Sequence, residues 1–190
     1  MVASIVLLHC RFLMLWLNGF FFMNKSGNIS SEALRRGGAT VGYMADIRQE
    51  EAIFISYFRT FCSGYESRIS LQNLLLSNLG TEDGYATMDA LDKFCEIIYK
   101  NGRRRFIRHD VACECIGADE NCLSQFVFSA CEDTLEDAHL IGALITDAFL
   151  SNELTLQARK IGLSIRAYLG SIEKVPTTRH AWIKEFFQVN

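Results

Sequence analysis

Apolar residues recur every three or four positions between residues 46 and 170, and this helical period is the feature that most constrains the fold. Side chains three and four positions apart lie on the same face of an α-helix. The chain has a single proline, Pro176, which follows the last of these periodic segments. The sequence therefore predicts an all-α fold, a compact bundle of about six helices.

Caps and stop signals divide the periodic region into separate helices. Asp46 and Thr87 are predicted N-caps, and Gly80 and Gly102 mark helix ends. The residues 81–84, Thr-Glu-Asp-Gly, are expected to form a turn. Cys95 lies on an apolar helix face and is expected in the core. The predicted helices are Asp46 to about Cys62, Ser70–Leu79, Thr87 to about Asn101, one from Asp119, one from a capping-box-like Thr134–Asp137 and one from Asn152 to about Gly170.

One stretch of the periodic region, residues 103–118, loses the helical period. Its phenylalanine, isoleucine and valine stand among charged residues in a pattern typical of an extended chain or an ordered loop. We therefore expect a single extended loop insertion between two helices.

The first 43 residues differ in character from the rest. Residues 1–23 are long and apolar enough to span a bilayer, but Arg11 would lie near the middle, at a cost of about 2.5–3.5 kcal/mol. Residues 24–43 are polar and glycine-rich, as linkers are. We favour an over-long gene start, with the functional protein beginning near Met44 or at Met23. The alternative is a membrane anchor followed by a linker.

With 190 residues the chain is expected to form one domain, residues 44–170, followed by a tail, residues 171–190. The tail carries an amphipathic pattern typical of a helix that lies in an apolar groove. We expect it either to pack on its own core or, as we favour, to bind a protein partner or a second copy of the chain. Its apolar residues are Trp182, Ile183, Phe186 and Phe187.

The overall charge and the cysteine content limit the class of protein. A net charge of −3 gives no general attraction to nucleic acid or to anionic membranes. The basic run 100–109 is followed directly by acidic residues, so it is interpreted as a helix end that leads into a loop. Seven cysteines show no regular disulfide framework, which favours reduced thiols and a cytoplasmic protein. A location at the membrane is expected only if residues 1–23 are an anchor.

Fourteen residues, His109–Cys122, contain one histidine and three cysteines. Residues two apart in an extended chain point to the same side, so Cys113 and Cys115 can present two sulfurs together. With His109 and Cys122 they supply the four nitrogen and sulfur ligands of a tetrahedral zinc site. The Cys-x-Cys spacing differs from the usual zinc knuckle, and Asp110, Asp119 and Cys131 are alternative ligands. Zinc is one candidate ion, and because mixed nitrogen and sulfur ligands suit zinc, iron and copper alike, the sequence does not identify the metal.

Two other interpretations of this segment stay open. If Asp119 caps the following helix, Cys122 lies in the first turn, where the helix dipole favours a reactive thiolate, and Cys113 or Cys115 would be the resolving thiol. Neighbouring acidic residues oppose this redox role. Alternatively, the cysteines are small buried hydrophobic residues at the base of a loop.

The segments RHDVACECIGADENCLSQFV and EDAHLIGALI resemble short helical bacterial proteins that carry a His-x₃-Cys-x-Cys-x-Gly-Ala-Asp-Glu pattern. The resemblance covers about residues 44–170 and brings no activity with it. It implies that six residues of the pattern act together: His109, Cys113, Cys115, Gly117, Asp119 and Glu120.

No Walker, G-x-S-x-G or H-E-x-x-H pattern is present, so enzyme classes that depend on these motifs lose support and no catalytic residue is assigned. The sequence favours a non-enzymatic regulatory or interaction module whose Cys/His loop binds a metal ion. The alternative function is a thiol-based redox sensor or thiol-dependent enzyme.

Overall fold

Six helices and one small antiparallel sheet make up the residues that the computed structural model describes, 36–132 and 135–172. The predicted helical bundle is confirmed. The elements in chain order are β1 (Thr40–Tyr43), α1 (Gln49–Phe61), α2 (Tyr65–Leu79), α3 (Thr81–Asn101), β2 (Cys115–Gly117), α4 (Ala118–Ser129), α5 (Glu136–Ile145) and α6 (Ala148–Ile172).

Helix α1 begins three residues later than Asp46, the predicted cap. The backbone N–H of Arg48 donates to the Glu51 carboxylate at 3.1 Å, and the Arg48 guanidinium donates to the same carboxylate at 2.7 Å. Both hydrogen bonds run from Arg48 to Glu51, and the first satisfies the backbone N–H of the N-cap residue at the helix start. Asp46 instead lies in a turn, where its N–H donates to the carbonyl of Tyr43.

The corner between α2 and α3 is tighter than the sequence suggests. Only Gly80 separates the two helices, and its φ of 80° lies in the left-handed region that favours glycine. The residues 81–84, expected to be a turn, form the first turn of α3. Thr87 is therefore inside α3 and is not its cap; its hydroxyl lies 2.7 Å from the Asp83 carbonyl and 2.6 Å from Ser164 Oγ of α6.

The core forms where α1, α3, α4 and α6 meet. Phe54, Phe94 and Phe126 come from three different helices, with ring centroids 6.0 Å and 6.2 Å apart along the row. Such aromatic contacts add to the stabilisation from burial. Cys95 is buried in this core, as predicted. The central helix α6 buries one face, made up of Leu154, Ala158, Ile161 and Ile165.

Gly162 allows α6 to approach α4 closely. A Cβ at this position would lie within 3.2 Å of the Val127 carbonyl and still closer to the buried Cys131 sulfur. We expect Gly162→Ala to lower the free energy of unfolding by about 1–3 kcal/mol because the core would be overpacked. Gly170→Ala in the same helix meets no atom within 4 Å and should stabilise by about 0.5–1 kcal/mol. Urea unfolding of both variants checks this, and equal effects would contradict it.

Strand β1 pairs antiparallel with β2, which places Thr40 opposite Gly117 and Tyr43 opposite Cys115. Residues 40–43 were predicted to be linker, and in the structure they are a strand instead. The reason is long-range: β2 presents backbone groups with which residues 40–43 pair. The predicted extended insertion is a loop over 103–114 that ends in β2.

Several predictions fall on residues outside the described ranges. These are the apolar stretch 1–23 with its anchor alternative, residues 24–35 of the predicted linker, the capping box at Thr134, and the tail from residue 173 onward. Residues 171 and 172, assigned to the tail, are the end of α6. Among the helices of the described residues, none combines the length and the apolar character that crossing a membrane requires.

Candidate metal centre

The loop 103–114 starts against the α5–α6 corner. The backbone N–H of Arg103 donates to the Ile145 carbonyl at 2.9 Å, and its guanidinium donates to the carbonyls of Ala143 and Thr146. Arg104 pairs with Asp119, and Arg108 donates to the Cys62 carbonyl at 3.0 Å. These three arginines of the basic run are therefore engaged by acceptors of the protein itself.

Two acidic residues in the first turn of α4 accept backbone N–H groups of the loop 103–114 and of β2. Asp119 accepts the backbone N–H of Ile107 at 2.8 Å. Glu120 accepts the N–H of His109 and the N–H of Gly117, both at 2.9 Å. The helix starts at Ala118 with Gly117 as its N-cap, so Asp119 is the second helical residue and not the predicted cap. Both carboxylates are buried, at 1% and 0% exposure.

Arg59 of α1 is the residue that the sequence analysis missed. Its side chain is 1% exposed and forms a two-point ion pair with Glu120, with Nε and Nη2 each 2.7 Å from a carboxylate oxygen. Its remaining donors bind the carbonyls of Asp110, Cys113 and Cys115 at 3.2, 2.6 and 2.7 Å. One buried guanidinium thus fixes the backbone of both cysteines. The available signal was its position four residues after Ile55, on the apolar face of the helix.

The charge of Glu120 is stabilised by these donors. Burial favours the neutral carboxyl group, but the hydrogen bonds from Arg59, Gly117 and His109 outweigh it and hold the pKa of Glu120 below its ordinary value. Glu120 is therefore an anion at neutral pH, and the Arg59–Glu120 pair is a buried ion pair whose further hydrogen bonds go to the loop 103–114 and to β2.

The loop brings together three of the four predicted ligands. One ligand atom each from His109, Cys113 and Cys115 lies within 4.8 Å of the others, so the group could hold a metal ion. Nδ1 of His109 is 2.9 Å from the Cys115 sulfur and 3.8 Å from the Cys113 sulfur. The two cysteines form a disulfide, with Cα atoms 5.5 Å apart, so the prediction of reduced thiols is wrong for this pair. All three residues are half-buried.

A backbone carbonyl fixes the tautomer of His109. Nε2 lies 2.9 Å from the carbonyl oxygen of Gly38, which can only accept, so Nε2 carries the proton. The lone pair of Nδ1 is then directed at the two sulfurs. Gly38 lies two residues before β1 in the chain, so residues assigned to the linker contribute to the site. Gly117 leaves room for the ring, because a Cβ there would lie 3.1 Å from Nε2.

Cys122 lies outside this group. It is a free, exposed cysteine on α4, one turn beyond the helix start. Desolvation of its sulfur, reinforced by Asp119 and opposed by Arg104, raises its pKa. The expectation of a thiolate activated by the helix dipole is therefore wrong, because Cys122 is the fifth residue of α4 and the dipole effect is confined to the first turn.

Comparison with protein-family models, curated proteins and solved structures finds no match to this chain. Its function is therefore inferred from the geometry of the site. The resemblance to short bacterial proteins stays a prediction, and five of its six residues, all but Asp119, are tied to one another by the contacts of Glu120 and His109 described above.

Proposed function

We propose that this chain is a non-enzymatic, metal-binding helical module in which His109, Cys113 and Cys115 hold a zinc ion when the cysteines are reduced. The observation that carries the proposal is the orientation of His109, whose Nδ1 lone pair faces two sulfurs. One imidazole and two thiolates are common zinc ligands. The two thiolates also balance the charge of the divalent ion.

The surroundings support the proposal. Histidine ligands in metal sites usually donate their second N–H to a carbonyl or carboxylate, which fixes the ring, and Gly38 supplies such a carbonyl here. The cysteine backbones are held through their carbonyls by Arg59. The ligands would thus be held in place before the metal arrives, which lowers the ordering cost of binding.

Three protein ligands leave one position of a tetrahedral site for a water molecule or a ligand from a partner. Because the three residues are half-buried, this position is open to such a ligand. This arrangement suits a regulatory or interaction role, because a bound partner could supply the ligand at the fourth coordination position of the metal. The tail, residues 171–190, stays a second predicted partner contact.

A zinc titration of the reduced full-length chain tests the proposal. Protein without an affinity histidine tag is reduced with a phosphine, and zinc is added in competition with a chromophoric chelator. We expect one equivalent to bind. Cys113→Ser, Cys115→Ser and His109→Ala should each weaken binding by more than the roughly 10–100-fold that changes around a ligand cause.

Cys122→Ser is the matched control, since it removes a cysteine of the same segment that lies outside the group. It should bind zinc as the parent chain does. Absence of zinc binding by the reduced chain would contradict the proposal, as would unchanged binding in Cys115→Ser. Tight binding of iron or copper, without binding of zinc, would show that the site holds one of those ions and not zinc.

A further inference from the structure

We infer that the metal-bound site and the Cys113–Cys115 disulfide are two mutually exclusive states, so that oxidation of this cysteine pair by a peroxide releases the metal. The inference rests on the proposed function and names the signal that would regulate it. The same two sulfurs that belong to the ligand group are joined in a disulfide in this structure.

The two states exclude each other for a chemical reason. A tetrahedral zinc ion with Zn–S bonds of about 2.3 Å keeps its two sulfur ligands roughly 3.8 Å apart and needs each as a thiolate. A disulfide joins the sulfurs and removes both thiolate charges. The Cα separation of 5.5 Å lies in the range that disulfides use, and a Cys-x-Cys pair on one side of an extended chain can also reach a common metal ion.

The oxidation step balances with a peroxide as the oxidant. One thiolate attacks a peroxide oxygen, the O–O bond breaks, and a sulfenic acid and one hydroxide ion form. The second thiolate attacks that sulfur, the S–S bond forms, and a second hydroxide ion leaves. Two thiolates and one hydrogen peroxide thus give one disulfide and two hydroxide ions, and the metal dissociates with water in place of its sulfur ligands.

The backbone around the cysteines is held independently of the sulfur atoms. Arg59 binds the carbonyls of Cys113 and Cys115, and the N–H of Met44 donates to the Glu114 carbonyl at 2.8 Å. The N–H of Cys113 donates to the Asp110 carbonyl at 3.1 Å. None of these bonds involves a side-chain sulfur, so the exchange requires movement of the cysteine side chains while the loop stays in place.

His109 favours return to the reduced state. Its Nε2 proton is committed to Gly38, so the Nδ1 lone pair needs a proton donor or a metal ion. A disulfide provides neither, although Nδ1 is 2.9 Å from the Cys115 sulfur. Reduction supplies a thiol proton or allows a metal ion to bind. The Nδ1 lone pair of His109 is therefore better satisfied when Cys113 and Cys115 are reduced. Their half-buried sulfurs remain accessible to a small oxidant.

The test starts from the reduced, zinc-loaded full-length chain. One equivalent of hydrogen peroxide is added, released zinc is measured with a chromophoric chelator, and the remaining thiols are alkylated for disulfide mapping by mass spectrometry. We expect one zinc equivalent to appear together with the Cys113–Cys115 disulfide, and a phosphine to restore binding. Cys122→Ser should respond in the same way.

The outcomes separate the inference from the proposed function. If the reduced chain binds no zinc, the proposed function has failed before oxidant is added. If it binds zinc and keeps it after the Cys113–Cys115 disulfide has formed, the inference is overturned while the proposed function stands. Zinc release that accompanies a different disulfide, or peroxide that leaves both thiols and the metal unchanged, also overturns the inference.

Discussion

Replacing Arg59 with methionine is expected to lower the free energy of unfolding by about 3–5 kcal/mol. The substitution leaves Glu120, which is 0% exposed, as a buried charge without its ion-pair partner. It also leaves the carbonyls of Cys113 and Cys115 without their guanidinium donors. Because buried polar groups without partners are costly, we expect the unpaired Glu120 and the two unpaired carbonyls both to contribute to the decrease in the free energy of unfolding. Chemical unfolding of the reduced, metal-free protein measures the loss.

The exposed pair Lys100–Glu96 provides the control for Arg59→Met. Both of its side chains are well exposed, and such pairs contribute about 0–1 kcal/mol. Lys100→Met should therefore change the unfolding free energy by less than about 1 kcal/mol. A double variant, Arg59→Met with Glu120→Leu, should recover only part of the loss, because Glu120 also accepts the N–H groups of His109 and Gly117. Equal effects of Arg59→Met and Lys100→Met would contradict the assigned role of Arg59.

Zinc is expected to stabilise the reduced protein by about 2.7 kcal/mol when free zinc is held at 100 times its dissociation constant. The gain arises because the folded loop presents His109, Cys113 and Cys115 together, whereas the unfolded chain presents them only transiently. Unfolding curves with zinc buffered by a chelator, and with excess chelator alone, give the difference.

The ligand variants decide whether this stabilisation comes from the candidate site. Cys115→Ser should lose the zinc-dependent gain, whereas Cys122→Ser should keep it. An equal gain in both variants would show that zinc binds elsewhere on the folded protein. No gain in the parent chain would argue against a metal site that depends on the fold.

The helical architecture was predictable because its signals are local. The apolar period of residues 46–170 and the stop signals at Gly80 and Asn101-Gly102 depend only on neighbouring residues, and the number and order of the helices follow from them. Some helix starts were predicted wrongly because more than one residue near a helix start can act as its N-cap. Glu51 selects Arg48 as the N-cap of α1, two residues after the predicted N-cap Asp46.

The features that were missed depend on long-range contacts. Strand β1 exists because β2, more than seventy positions along the chain, offers it a pairing edge, and a glycine-rich polar segment alone does not indicate this. Arg59 is buried because Glu120 and the carbonyls of Asp110, Cys113 and Cys115 bind its guanidinium. Its position on the apolar face of α1 indicates burial, but nothing within α1 identifies these partners.

The candidate site was predictable in composition but not in full geometry. The alternation of Cys113 and Cys115 in an extended segment correctly placed their sulfurs side by side, and His109 lies beside them. Cys122 was included because a zinc site needs four ligands, yet α4 carries it away from the group. The role of Gly38 in orienting His109 requires knowledge of the sheet.

X-ray absorption at the zinc edge of the reduced, zinc-loaded full-length chain tests the central claim most directly. The proposed site predicts two sulfur neighbours at about 2.3 Å and nitrogen or oxygen neighbours at about 2.0–2.1 Å, with the outer-shell pattern of one imidazole ring. In Cys115→Ser the number of sulfur neighbours should fall from two to one. A first shell made only of nitrogen and oxygen, or one unchanged in Cys115→Ser, would contradict the assignment of His109, Cys113 and Cys115 as metal ligands.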